Sequence, residues 1–85
     1  MTLYEFESRV FALEGIRIII RSNRNEFDDY SYVRKCPDNT SIKDFLDTRI
    51  NWLLKDGEIA TVVNGYGEIP NARTHIGTVR ASYNV

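Results

Sequence analysis

Cysteine, net charge and long apolar runs are all scarce in this chain, and each scarcity excludes a class of protein. Cys36 is the only cysteine, so no intramolecular disulfide forms and a disulfide-stabilised secreted scaffold is excluded. Eleven basic and twelve acidic residues leave a formal net charge of −1, which argues against strong undirected attraction to nucleic acid or anionic membranes. No stretch approaches the roughly 20 apolar residues of a membrane span, and the first residues carry acids instead of the basic start of a signal peptide. We therefore expect a cytoplasmic protein that does not enter a membrane.

Motifs that carry chemistry are also missing. Cys36 and His75 are a single thiol and a single imidazole without a surrounding family signature, and a structural zinc site usually needs four such ligands. Gly65 and Gly67 form an isolated G-x-G without the spacing of a phosphate-binding loop. We expect no catalytic residue, no metal, no cofactor and no enzymatic activity.

The length and composition are those of one folded unit. Of the residues, 42% are hydrophobic and 27% are charged, which is close to the averages of globular chains. A chain of 85 residues is too short to form two hydrophobic cores. We predict a single domain spanning residues 1–85. A domain of this size buries only about 60% of its unfolded surface, so its core is thin and a homodimer is a reasonable expectation.

The N-terminal residues predict a helix from Leu3 to Glu14. Thr2 and Glu5 have the spacing of a capping box, and Gly15 can take the left-handed conformation that ends a helix. The apolar residues recur at helical spacing, at Leu3, Phe6, Val10 and Leu13. A β-hairpin remains an alternative, because aromatic residues alternate with acids here and Glu14-Gly15 could form its turn.

The middle of the chain predicts a second helix, from Ser41 to Leu54, and this prediction is less ambiguous than the first. Ser41 and Asp44 repeat the capping pattern, and Asp56-Gly57 follows the end of the helix. One side gathers the apolar residues Ile42, Phe45, Leu46, Ile50 and Leu53.

Each predicted helix is followed by a run rich in β-branched residues, IRIIIRS and EIATVVNG, and then by a second strand-like run, YSYVRKC and THIGTVRASY. Helix, strand, strand therefore occurs twice. This order predicts an α+β two-layer domain, with a four-stranded antiparallel sheet and two helices on one of its faces.

Arg49 lies among apolar residues on the face of the second helix that should meet the sheet. We expect its aliphatic stem to pack and its guanidinium to reach an edge or to pair with an acid. On that reading Arg49→Leu is tolerated or even stabilising, since burying a charge is costly. The alternative is a functional arginine whose planar guanidinium binds a carboxylate or phosphate.

Two surface features are candidates for binding. Tyr66 lies between two glycines in the loop GYGEIPNA, where it either contacts a partner or rests on the sheet. Strand alternation also requires an exposed sheet face that bears arginine, and arginine and tyrosine are mixed on the predicted strands, at Arg17, Arg21, Arg34, Tyr30 and Tyr32. Such a face suits single-stranded nucleic acid or a protein hot spot.

We interpret the chain as a small non-enzymatic binding protein that acts by protein–protein interaction, because its charges are balanced. In size and α+β build it resembles phage-encoded inhibitors of host machinery, anti-CRISPR proteins among them, and this resemblance implies an inhibitor. No residue motif carries the resemblance. The alternative is a nucleic-acid-binding regulator that uses the Arg/Tyr sheet face, or a winged-helix-like element formed by the second helix and a following hairpin.

Overall fold

The first helix forms where the sequence predicts it. The computed structural model describes residues 1–83, and its helix α1 spans Leu3–Glu14. The Thr2 hydroxyl accepts a bond from the Glu5 amide at 3.1 Å, and the Glu5 carboxylate accepts one from the Thr2 amide at 2.9 Å. Gly15 ends the helix with φ 71°. The helix and both of its caps are confirmed, and the hairpin alternative is wrong.

Two strands of the predicted sheet also form. Strand β1 spans Arg17–Arg21 and strand β2 spans Ile59–Val63, and they pair antiparallel with Ile19 opposite Thr61. Alternate residues of β1 are buried and exposed. The carboxylate of Glu7 on α1 accepts a 2.9 Å bond from the Ile20 amide, so the helix satisfies part of the strand edge that β2 leaves unpaired.

The second helix changes its hydrogen-bond pattern along its length. Helix α2 spans Ile42–Phe45, continues as a π-helical turn at Leu46–Ile50 and ends in a 3₁₀ turn at Asn51–Leu53. The Thr48 hydroxyl donates to the Asp44 carbonyl at 2.6 Å, and such back-bonding from Thr perturbs regular helical geometry. The structure confirms a helix at the predicted position, but the second half of this helix is irregular.

The run THIGTVRASY is a helix and not the predicted strand. Helix α3 spans Ile76–Ser82. Its start pairs with the start of α2, because the Ile76 amide donates to the Thr40 carbonyl at 2.7 Å and the Ile42 amide donates to the Thr74 carbonyl at 2.9 Å. Each helix thus receives acceptors for its first amides from the residues before the other helix. This tertiary pairing outweighs the weak strand preference of the β-branched residues.

The run YSYVRKC forms no strand either. It belongs to a segment at residues 22–40 without helix or strand, which nonetheless buries Phe27, Tyr30 and Cys36. The rings of Phe27 and Tyr30 pack against Phe6 of α1, with centroids 5.7 and 5.9 Å apart. The segment therefore covers α1 instead of extending the sheet.

The architecture is a small α+β domain with three helices and a two-stranded antiparallel sheet within residues 1–83. The predicted four-stranded sheet, and the helix-strand-strand unit repeated twice, are wrong. No helix in the described part of the chain is long and apolar enough to cross a membrane. Every element and the segment before α2 contribute to one core, which contains Phe6, Val10, Ile16, Ile18, Ile20, Phe27, Tyr30, Cys36, Ile42, Phe45, Ile50, Val62, Ile76 and Val79.

Candidate functional site

The outer face of the sheet is exposed and partly apolar. Ile18, Ile20 and Val62 point into the core, so their neighbours along the strands point outward. Ile19 is 53% exposed and Ile59 is 59% exposed. Within the described residues no helix covers these two side chains, and exposed aliphatic residues grouped on one face are typical of an interaction surface.

Helix α1 turns this face into a concave surface. Tyr4, 78% exposed, and Phe11 lie seven residues apart on the side of α1 next to β1. Together with the sheet they enclose a groove of about 400 Å³, lined by Tyr4, Glu7, Ser8, Phe11, Arg17, Ile18, Ile19 and Val63. We call this groove and the outer sheet face together the sheet groove. Its size admits one or two side chains of a partner.

One end of the sheet groove is held in place by Tyr83. The Tyr83 hydroxyl accepts a 2.9 Å bond from the Arg17 amide and donates to the Val63 carbonyl. The Tyr83 and Phe11 rings meet edge to face with centroids 6.0 Å apart. The Arg17 guanidinium lies over Phe11, 4.8 Å from its centroid, an attractive cation–π geometry. The surface is therefore built on ordered side chains before any partner binds.

The sheet groove is positively charged at both ends of β1. Arg17 and Arg21 are exposed and make no ion pair with any residue in 1–83. The nearby acids have other partners: Glu7 accepts from Ile20, and Glu58 holds Arg24 through bonds of 2.8 Å. Two guanidinium groups thus remain available on this surface.

The predicted Arg/Tyr face is only partly assembled. Arg17 and Arg21 share the outer sheet face as predicted. Tyr30 is buried in the core, and Tyr32 lies beneath Arg49, whose guanidinium is 4.4 Å from the Tyr32 centroid. Arg34 is exposed, but it lies in the irregular segment and on no strand. The prediction that these tyrosines and arginines share one sheet face is wrong, because YSYVRKC does not join the sheet.

Tyr66 lies outside the sheet groove. The loop after β2 is organised by Asn64, whose side-chain oxygen accepts bonds of 2.9 Å from the amides of Tyr66 and Glu68. The Tyr66 ring is exposed and lines a separate cavity of about 260 Å³ beside α3, with Pro70, Thr78 and Ala81 among its other walls. Tyr66 is accessible to a partner, but it is not placed with Arg17 and Arg21.

Glu14, at the end of α1, is a buried carboxylate that the sequence analysis missed. It is 1% exposed. Arg49 donates to it at 2.7 Å and Arg80 at 3.1 Å, the Tyr30 hydroxyl donates at 2.6 Å, and the Cys36 amide donates at 2.8 Å. Four donors from three parts of the chain satisfy one carboxylate, so we assign Glu14 a structural role.

This network revises the interpretation of Arg49. The guanidinium does pair with an acid, as predicted, and it also donates to the Arg34 carbonyl at 2.7 Å. Because its partner Glu14 is fully buried, removing Arg49 takes a positive charge away from a carboxylate that water does not reach. The expectation that Arg49→Leu is tolerated is therefore replaced by an expectation of clear destabilisation.

Cys36 and His75, whose side chains could act as nucleophile, base or metal ligand, lie in different surroundings. The Cys36 thiol is buried in the core, whereas His75 is exposed at the start of α3. No group of three metal-ligating side chains occurs within residues 1–83.

A sequence signal for the sheet groove did exist: Tyr4 and Phe11 lie off the buried stripe of α1, at a spacing that places both on one side of the helix.

Comparisons of the chain with protein-family models, with curated proteins and with solved structures found no match.

Proposed function

We propose that this chain is a small non-enzymatic binding protein, and that its partner is another protein that contacts the sheet groove. The observation that carries the proposal is the grouping of exposed Ile19 with Tyr4 and Phe11 around one groove, which exposed Ile59 extends along the outer sheet face. Apolar and aromatic anchors that fill a pocket supply most of the affinity in protein interfaces. Arginine at the edge of such a surface is also typical of them.

A nucleic-acid-binding regulator is the second candidate, favoured by Arg17 and Arg21, which form no ion pair with the residues that the structure describes. Two features weigh against it. The two tyrosines of the predicted Arg/Tyr face are engaged elsewhere and cannot stack bases there, since Tyr30 is in the core and Tyr32 packs against Arg49. In the described residues β2 pairs with β1 and is followed by α3, so the hairpin of a winged element is not formed.

A narrower form of the proposal is an inhibitor of host machinery of the kind encoded by phages, such as an anti-CRISPR protein. What supports it is the resemblance in size and α+β build. It is tested by expressing the protein in cells with active CRISPR interference and counting phage plaques. A rise in plaque number supports the inhibitor, and an unchanged number across the CRISPR types tested contradicts that form.

The wider proposal is tested by affinity capture from a lysate of the source organism, with and without nuclease. The double variant Ile19→Thr/Ile59→Thr keeps β-branched residues on the strands while removing the exposed apolar surface. Val33→Thr is the matched control, because Val33 is strongly exposed and lies outside the sheet groove. Circular dichroism verifies that all three proteins fold.

We expect the wild type and the control to retain the same protein after nuclease treatment, and the double variant to lose it. Capture that disappears with nuclease would favour the nucleic-acid candidate. A protein retained equally by the double variant would place the interface elsewhere on the surface.

A further inference from the structure

We infer that the partner presents an acidic, extended segment to the sheet groove, with one apolar side chain between two carboxylates that bind Arg17 and Arg21. This inference rests on the proposed function and specifies the chemistry of its partner. It follows from the charges on the outer sheet face, from the spacing of the two arginines, and from the apolar surface between them.

The charges of the outer sheet face are complementary to those of an acidic partner. The six outward positions of the two strands carry two arginines and no acid, and they are Arg17, Ile19, Arg21, Ile59, Thr61 and Val63. The groove beside them also contains the Glu7 carboxylate, which accepts a bond from the Ile20 amide, so the acids of a partner belong beside the arginines and its apolar side chain belongs in the groove. By contrast, Arg24, Arg49 and Arg80 are each paired with a carboxylate. A partner with carboxylates would form charge-assisted hydrogen bonds with the two available guanidinium groups.

The distance between Arg17 and Arg21 matches the distance between two acids of an extended segment. Arg17 and Arg21 lie on the same face of β1, four residues apart, which is about 13 Å along a strand. In an extended partner, acids four residues apart also point to one side at about 13 Å. The residue midway between them then faces Ile19 and the groove, where an apolar side chain removes water from Ile19, Tyr4 and Phe11.

A second copy of this chain fits the same surface poorly. A two-fold symmetric interface brings the same patch of both copies together, so the cationic outward positions of one copy would meet those of the other. With Arg17 and Arg21 and no acid among those positions, the contact would be repulsive. A nucleic acid supplies anions but no apolar side chain for the groove.

The test uses two synthetic peptides and the full-length protein labelled with ¹⁵N. The acidic peptide is acetyl-Ser-Glu-Thr-Leu-Thr-Glu-Ser-amide, and the matched peptide replaces both glutamates with glutamine. Binding is followed by amide chemical shifts at low and at physiological salt. A single-stranded dT₁₀ oligonucleotide is titrated in parallel.

We expect the acidic peptide to shift the amides of β1, β2 and the adjoining side of α1. We expect its affinity to exceed that of the glutamine peptide by about fivefold to tenfold, and to fall as salt is added. Arg17→Gln/Arg21→Gln should remove this preference, while Arg73→Gln should keep it, since Arg73 is exposed and lies in the loop before α3.

Three outcomes would overturn the inference, and they bear differently on the proposed function. Equal binding of both peptides at the sheet groove would mean that the surface takes protein segments without selecting acids, which leaves the proposed function standing. If the acidic peptide does not bind, the inference that the sheet groove binds an acidic, extended segment is wrong. Tighter binding of the oligonucleotide through Arg17 and Arg21 would reject both.

Discussion

The hydroxyl of Tyr30 donates a 2.6 Å hydrogen bond to the carboxylate of Glu14 inside the core. This bond joins the end of α1 to the middle of the segment that connects β1 to α2. Burial, together with the neighbouring Glu14 carboxylate, raises the pKa of Tyr30 far above its ordinary value, so the hydroxyl remains a donor. The irregular segment is thereby held by side-chain bonds where a strand would be held by backbone pairing.

Tyr30→Phe should destabilise the fold by about 1 to 3 kcal/mol, because it leaves a buried carboxylate with one donor fewer while keeping the ring. Urea denaturation followed by tryptophan fluorescence measures the change. Tyr4→Phe is the matched control: Tyr4 is exposed, and its hydroxyl should contribute less than about 0.5 kcal/mol. Equal effects of the two substitutions would contradict the assigned role of Glu14.

Arg49→Leu should destabilise by about 2 to 4 kcal/mol, since it removes one of the two cations that neutralise buried Glu14. Arg9→Leu serves as the control, because the Arg9–Asp29 pair is half-exposed on both sides and such pairs contribute about 0 to 1 kcal/mol. If Arg49→Leu unfolds at the same urea concentration as the wild type, the ion pair adds no stability. The double variant Glu14→Leu/Arg49→Leu then shows whether the carboxylate alone is the costly group.

Stability should fall as the pH is lowered from about 4.5 to about 2, in part because of Glu58. The Arg24 guanidinium, the Ser22 hydroxyl and the Lys55 amide bond its carboxylate and lower its pKa from 4.5 to about 2. A carboxyl group with a lowered pKa in the folded state stabilises the fold above its ordinary pKa, and this contribution disappears as the group is protonated. NMR titration of the Glu58 carboxyl carbon measures the pKa directly.

The same titration on Arg24→Gln should give a higher Glu58 pKa, because the largest of the three causes is removed. An unchanged midpoint in that variant would show that Arg24 does not hold the carboxylate in solution.

Gly15→Ala should destabilise by about 1 to 2 kcal/mol, since φ is 71° at this position and a side chain there is strained. Space is not the cause, because an added Cβ would lie 3.8 Å from the Arg80 Cγ, which is ordinary van der Waals contact. Gly15→Asn should lose less stability, since Asn visits the left-handed region more readily. Equal losses for Ala and Asn, measured by urea denaturation, would indicate a steric cause instead.

Local patterns were sufficient for the elements whose interactions are short in sequence. The capping box of Thr2 with Glu5, and Gly15 at the far end, define α1 within fourteen residues. The alternation of Arg17 to Arg21 correctly predicted both the strand and its exposed face. For the sheet groove, the arginines of β1 were predicted, whereas the aromatic side of α1 was overlooked.

The remaining elements depend on partners far along the chain. Residues 30–36 look like a strand, yet Tyr30 and Cys36 bond the Glu14 carboxylate, 16 and 22 residues away. Residues 74–83 also look like a strand, yet the Ile76 amide bonds the Thr40 carbonyl before α2, and a helix begins there. A short run of β-branched residues prefers a strand by only about 1 kcal/mol. The hydrogen bonds to the buried Glu14 carboxylate, and those between the first residues of α2 and α3, contribute more free energy than that preference. They form only once the chain has folded.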